Sequence, residues 1–265
     1  PSPTPTPSGL LGGRFPDVFT DGEPILTEDG YTGRETSFTV TTVNDADTYS
    51  NNVTYFVIDI YIQDVKSLLA GSSSDNFISG STAWIDDLAR ECNALVAISG
   101  DYSFSSGLIL RNGTIYREKI NNSEDICVLY LDGTMKTFSA GDYAIDTIDI
   151  ENAWQIWSFG PALLDENGEP LTEFNSSITG RNPRCAIGYI EPGHYCLVTV
   201  DGRQGDYSRG LSMSDLSLLM YDLGCSVAYN LDGGATAQLY WQDKIFNSPS
   251  GERRVCDIIY IAPEA

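Results

Sequence analysis

The chain has 265 residues, 42% of them hydrophobic, enough to bury the core of one large domain. It sets 37 Asp and Glu against 15 Lys and Arg, a formal charge of −22. That balance excludes a nucleic-acid partner, because neutralising phosphates takes a basic surface, and it disfavours an anionic membrane surface for the same reason.

The chain opens on Pro1-Ser2-Pro3-Thr4-Pro5-Thr6-Pro7-Ser8-Gly9, a linker of extended, semi-rigid character. Leu10 to Thr32 is rich in Gly, Pro and Asp. Residues 1–34 thus read as a linker and irregular lead-in, and 35–265 as one domain. Such a linker tethers a domain to an upstream anchor or domain, and no run of 18 apolar residues occurs. A processed extracellular or cell-surface protein without a transmembrane helix is expected.

Glu35 to Val43 and Asn52 to Ile62 are rich in alternating β-branched and aromatic residues and predict strands. Ser81 to Cys92 predicts a helix, with Ser81 or Thr82 as cap and Ile85, Leu88 and Ala89 on one face. Ala94 to Ile98 is a short apolar strand, and Asp101 lies just past its end. Asn112-Gly113 and Asp132-Gly133 each join two strand-like runs, the signature of type I′ hairpins. Trp154 to Phe159 is a further strand. A Pro192-Gly193 turn joins Arg184–Ile190 to Tyr195–Val200, and Asp201 closes the second strand.

Ser212-Met213-Ser214-Asp215 is a capping box. Leu216, Leu219, Met220 and Leu223 then share a helical face, and Gly224 suits a left-handed cap. Ser226 to Tyr229 is a strand, and Asp232-Gly233-Gly234 follows it. That order exposes a carboxylate and lets another molecule approach the backbone. Gln238 to Trp241 and Cys256 to Ile261 complete an α+β fold with a mixed, largely antiparallel β-sheet and a few packed helices.

The chemistry open to these residues is narrow. The single His194 sits in the Pro-Gly turn, poorly placed to orient a nucleophile. No C-x-x-C pair, EF-hand or Gly-rich nucleotide loop occurs, so neither metal nor cofactor is predicted. Several of the six cysteines, such as Cys127 and Cys225, lie in apolar runs and read as buried free thiols, and a Cys185–Cys196 bridge across the hairpin is the alternative for that pair. General acid–base work then falls to carboxylates, and paired carboxylates are the usual means of cleaving glycosidic bonds. The acids at strand ends beside glycine are Asp101, Asp201 and Asp232. Arg181, Arg184, Arg203, Arg209, Arg253 and Arg254 all lie between positions 181 and 254 of a base-poor chain and suggest a local cationic pocket suited to phosphate or carboxylate oxygens.

Several motifs occur in order: Asn-Pro-Arg-Cys-Ala-Ile-Gly-Tyr (182–189), Val-Asp-Gly-Arg (200–203), Ser-Arg-Gly-Leu-Ser (208–212) and Asn-Leu-Asp-Gly-Gly-Ala-Thr (230–236). Asn247-Ser248-Pro249-Ser250 and Glu252-Arg253-Arg254-Val255 follow them. Upstream lie Ala-Ile-Ser-Gly-Asp-Tyr (97–102), Gly-Leu-Ile-Leu-Arg-Asn-Gly (107–113) and Ser-Phe-Gly-Pro-Ala-Leu-Leu (158–164). This series resembles the phosphodiester glycosidase family over roughly residues 35–262. Ser99 and Ala235 depart from it, standing where the family has Asn and a third glycine.

The resemblance implies a hydrolase acting on a sugar-1-phosphodiester or related surface glycan, such as exopolysaccharide. It implies Asp232, Asp101 and Asp201 as catalytic residues, and Arg184, Arg203, Gly233, Gly234, Thr236 and Asn247 as substrate-binding residues. The alternative is a non-catalytic carbohydrate-binding or cell-envelope module on the same fold. Convergence of Asp101, Asp201, Asp232 and Arg184 on one place discriminates the two.

Overall fold

A computed structural model describes residues 11–49, 52–74, 76–102 and 107–264. The Pro/Thr linker lies outside the described residues. In chain order the strands are β1 (Ile25–Leu26), β2 (Gly30–Thr32), β3 (Thr36–Asp45), β4 (Val53–Ile62), β5 (Leu69–Ser72), β6 (Val96–Ser99), β7 (Ile109–Arg111) and β8 (Thr114–Arg117). They continue as β9 (Ile126–Tyr130), β10 (Met135–Phe138), β11 (Ala153–Trp157), β12 (Arg184–Glu191), β13 (His194–Val200), β14 (Val227–Leu231), β15 (Leu239–Trp241), β16 (Lys244–Ile245) and β17 (Asp257–Ile261). Helices α1 (Ile85–Glu91) and α2 (Met213–Asp222) are the α-helices among the described residues.

A seven-stranded sheet runs β1-β2-β3-β4-β13-β12-β14, and two five-stranded sheets run β10-β9-β11-β7-β8 and β16-β15-β6-β17-β5. Every ladder among the described residues is antiparallel, which corrects the expected mixed sheet. Short turns reverse the chain in β3–β4, β7–β8, β9–β10 and β12–β13, while β4–β13, β12–β14 and β5–β17 pair across long stretches of chain. The segment expected to be irregular contributes β1 and β2 to the large sheet.

The period of two decides the layers. Along β4, Phe56, Ile58, Ile60 and Ile62 face one core, and Val53, Tyr55 and Val57 face another. The first core is closed by Val96, Ile98, Leu239, Trp241, Ile259 and Ile261 of the β6-containing sheet. The second is closed by α2 through Met213, Leu216, Leu219 and Met220. Each such side chain contributes about 1.5–3 kcal/mol on burial. A sheet covered on both faces explains why β4, β12 and β13 read as near-continuous apolar runs.

Most local signals hold. Ser212 caps α2 in a reciprocal box with Asp215, and Gly224 takes φ 83° after its end. At the first hairpin Asn112 and Gly113 take φ 51° and 74°, as type I′ requires. At the second, only Gly133 is left-handed; Asp132 instead accepts the Thr134 N–H at 2.9 Å, so that turn is of another type. Helix α1 is shorter than predicted. Ala83 is held in a backbone bridge to Val255, so neither Ser81 nor Thr82 caps, and the helix starts after Trp84.

All six cysteines are unbridged. A Cys185–Cys196 bond is ruled out by register: Cys185 opposes Thr199 and Cys196 opposes Gly188, and the two side chains enter opposite cores.

Candidate active site

Register brings the three predicted acids to one rim. Arg184, the first residue of β12, opposes Val200, the last of β13, and Cys185 opposes Leu231, the last of β14. Asp201 and Asp232 therefore leave the sheet at the same end, on either side of the start of β12. The neighbouring sheet joins at the same level: the Asp232 N–H donates to the Gly100 carbonyl at 3.0 Å, and Ser99 at the end of β6 opposes Ile258. Asp101 thus arrives beside Asp232, together with Asp257, which opens β17.

On this side the charges are spent within the protein. Arg111, the last residue of β7, is fully buried. Its Nη2 donates to Asp101 Oδ1 at 2.6 Å, and its Nε and Nη2 donate to Asp257 Oδ2 at 3.2 Å. The other Asp101 oxygen accepts the Ser158 N–H at 3.0 Å. Two buried carboxylates share one guanidinium. Burial first, and then the Asp101 charge, push the Asp257 carboxyl well above the usual range. Its Oδ1 is buried without a hydrogen-bond partner among the described residues and fills the space where a side chain on Gly100 would sit, 2.5 Å from an added Cβ.

On the other side the cations have no carboxylate partners among the described residues. Arg184 is 4% exposed, and it donates to the carbonyls of Leu211, Ile178 and Gly180 at 3.1, 3.0 and 2.5 Å. Burial, and then the nearby Arg203 charge, lower its pKa to about 10. Arg203 is exposed and takes φ 61°. Its Nε and Nη2 donate to Asn182 Oδ1 at 3.2 and 2.9 Å, and its guanidinium lies against Gly234.

Asp232 stands between these halves and is the one of the three predicted acids that is only partly covered. Burial raises its pKa and Asp101 adds to the rise, while the Thr236 hydroxyl, the Arg253 charge and the Gly233 N–H oppose it. Asp201 is fully buried: it accepts from Asn247 Nδ2 at 2.7 Å, the Ser248 N–H at 2.9 Å and the Tyr207 hydroxyl at 2.9 Å. Burial still leaves its pKa raised, against those three bonds.

The other predicted residues shape the rim. Asn247 spends its amide on Asp201, Ala237 O and the Leu239 N–H. The Thr236 hydroxyl donates to the Gly233 carbonyl at 2.5 Å. Gly233 allows a close approach, and the backbone that uses it is the protein's own: an added Cβ would lie 2.7 Å from the Pro183 carbonyl. Gly234 is required by its φ of 67°. The Ser99 hydroxyl donates to the Thr236 carbonyl, so the departure from Asn still ties β6 to the Asp232 turn. The Ala235 methyl faces Gly251, where even an added Cβ would meet it at an ordinary 3.7 Å.

His194 lies at the far end of β13 from Asp201, stacked on Tyr61 and bonded to Asp59 at 2.7 Å. Arg111 and Asp257 were not among the predicted site residues. Arg111 sits next to the Asn112-Gly113 hairpin signal, but Asp257 had none, since it opens a strand rather than ending one.

A phosphodiester glycosidase family model matches residues 92–262. The SPbeta prophage-derived uncharacterized protein YomE of Bacillus subtilis (strain 168) is 28% identical over 186 residues, 66% of this chain and 29% of that protein. The match thus spans under a third of that relative's length. Among solved structures, the catalytic domain of zebrafish N-acetylglucosamine-1-phosphodiester alpha-N-acetylglucosaminidase, auto-inhibited by its pro-peptide, superposes with TM-score 0.69 at 18% identity. That superposition covers 87% of this chain and 83% of the zebrafish domain. A hypothetical protein from Synechocystis gives TM-score 0.61 at 14% identity, covering 86% and 62% of the two chains. At those identities the structural likeness concerns the fold.

Proposed function

Because the chain belongs to the phosphodiester glycosidase family, we propose that it hydrolyses the bond between a sugar's anomeric carbon and a phosphodiester oxygen. The observation that carries this reading is a rim holding one partly exposed carboxylate, Asp232, within reach of the Arg253 charge, and, at the same Gly233-Gly234 turn, the Arg184–Arg203 pair, which has no carboxylate partner among the described residues of a chain carrying −22. An anionic substrate supplies the missing charge.

In this mechanism Arg203 binds the phosphate oxygens through its exposed fork, and buried Arg184 adds positive potential behind it. Water attacks the anomeric carbon as its bond to the phosphate oxygen breaks. Asp232 takes the water's proton, and the phosphate monoester leaves with the bonding electrons. That leaving group is a weak base, so no strong general acid is needed. The raised pKa of Asp232 suits a base better than an ordinary carboxylate. Asp101 and Asp201, each held by three hydrogen-bond donors or a buried arginine, position the Asp232 turn and the arginine side of the rim.

The glycan substrate places the protein outside the cell or at its surface, reached through an upstream anchor or domain. No helix among the described residues is long and apolar enough to cross a membrane. Fractionation of cells expressing the full-length gene tests this location.

The activity is tested with alkyl phosphodiesters of N-acetylglucosamine 1-phosphate and other sugar 1-phosphates, with aryl glycosides as controls. Turnover of a phosphodiester that falls about 10²–10⁴-fold in Asp232→Asn supports the proposal. Near-full activity of that variant overturns the role of Asp232, and turnover of aryl glycosides alone overturns the substrate class. Saturable sugar binding with no turnover of any substrate favours a carbohydrate-binding module.

A further inference from the structure

The Cys196 and Cys225 sulfurs lie 3.5 Å apart, in the core between the large sheet and α2. Cys196 is in β13, and Cys225 follows the Gly224 cap of α2. Glycine at position 188 makes the meeting possible. It sits opposite Cys196 in the ladder, and a Cβ there would lie 2.4 Å from the Cys225 sulfur and 2.8 Å from the Cys196 sulfur. No other pair of cysteine sulfurs among the described residues is in such contact.

We propose that Cys196 and Cys225 form a disulfide when the chain folds in an oxidising compartment. The bond closes a loop between residues 29 apart and ties the C-terminal end of α2 to the middle of the large sheet. In the step, two thiols lose two protons and two electrons. A disulfide oxidant such as oxidised glutathione takes them up, leaving as two glutathione thiols. Both cysteines are buried. The Cys225 hydrogen bond and burial hold the Cys196 proton in place, which leaves little thiolate in the folded protein. The bond therefore closes during folding, before α2 docks, and only slowly afterwards.

The test refolds the chain with oxidised and reduced glutathione, or with dithiothreitol, followed by alkylation in denaturant and peptide mass mapping. Two thiols disappear, a cross-linked peptide joins Cys196 to Cys225, and the remaining cysteines are alkylated. The oxidised form melts roughly 5–15 °C above the reduced form. Cys225→Ala abolishes this redox dependence of Tm. Full alkylation of all six cysteines after oxidative refolding, or a bridge between any other pair, overturns the proposal. The mapping uses the unaltered chain, so its outcome stands even where a variant fails to fold.

Discussion

The two flanks of the Asp232 turn use charge in opposite ways. On the Asp101 side, Arg111 is enclosed by two carboxylates and two backbone carbonyls, and solvent reaches none of the group. On the Arg184 side, the guanidiniums donate to neutral oxygens alone among the described residues, and Arg203 stays open to solvent. The first flank is internally compensated and works as a scaffold. The second keeps unspent positive charge, which is what an anionic substrate requires.

The largest expected effect breaks the scaffold flank. Arg111→Met strands Asp101 and Asp257 in a buried site, and urea unfolding should show a loss of about 3–5 kcal/mol. A stability unchanged from wild type would mean that this flank is not internally compensated. The opposite flank responds in activity. Arg203→Ala should lower kcat/KM for a sugar phosphodiester about 10²-fold, with Tm unchanged, because its guanidinium is exposed. Arg203→Lys should recover only part of that loss, since lysine lacks the planar fork. An equal loss of Tm and activity would make Arg203 a structural group instead.

A smaller effect tests the tie between the flanks. Ser99→Ala leaves the Thr236 carbonyl without its hydroxyl donor and should cost about 1–2 kcal/mol in chemical denaturation. No cost at all would show that the Asp232 turn holds its shape without β6. The smallest effect concerns pH. Asp257 binds its proton more tightly when folded, so its contribution to stability is complete below the unfolded pKa near 3.8 and is lost as pH rises through the folded value. Asp257→Asn should flatten the decline of Tm with pH above 4. Part of the slope persists, because Asp201 and Asp232 are shifted in the same direction. Identical slopes for variant and wild type would remove Asp257 from the account.

Much of this molecule is legible along the chain wherever the interaction is local. The Ser212–Asp215 box, the Gly224 cap and the Asn112-Gly113 turn each depend on backbone conformation within a few residues. The strand-end acids Asp101, Asp201 and Asp232 were visible for the same reason: a short apolar run ends, and an acid with glycine follows. Where a long-range contact intervened, local reading failed. Helix α1 lost its first turn to the Ala83–Val255 bridge, and the lead-in was drawn into the sheet as β1 and β2. The Cys185–Cys196 pairing failed because side chains three residues off register in a hairpin can enter opposite faces.

The strand-end acids, the arginines near them and the order of the family's motifs are legible from residues close together in the chain. How the acids divide their work depends on contacts between elements far apart in it. Asp101 and Asp201 carry the same local pattern as Asp232, yet Arg111 at the end of β7 and Asn247 in the bend after β16 claim them from far along the chain. Asp257 and Arg111 enter the site through the β6–β17 register and the end of β7. A carboxylate's chemistry depends on its desolvation and on the charges within a few ångströms, and antiparallel pairing draws those neighbours from residues far apart in the chain.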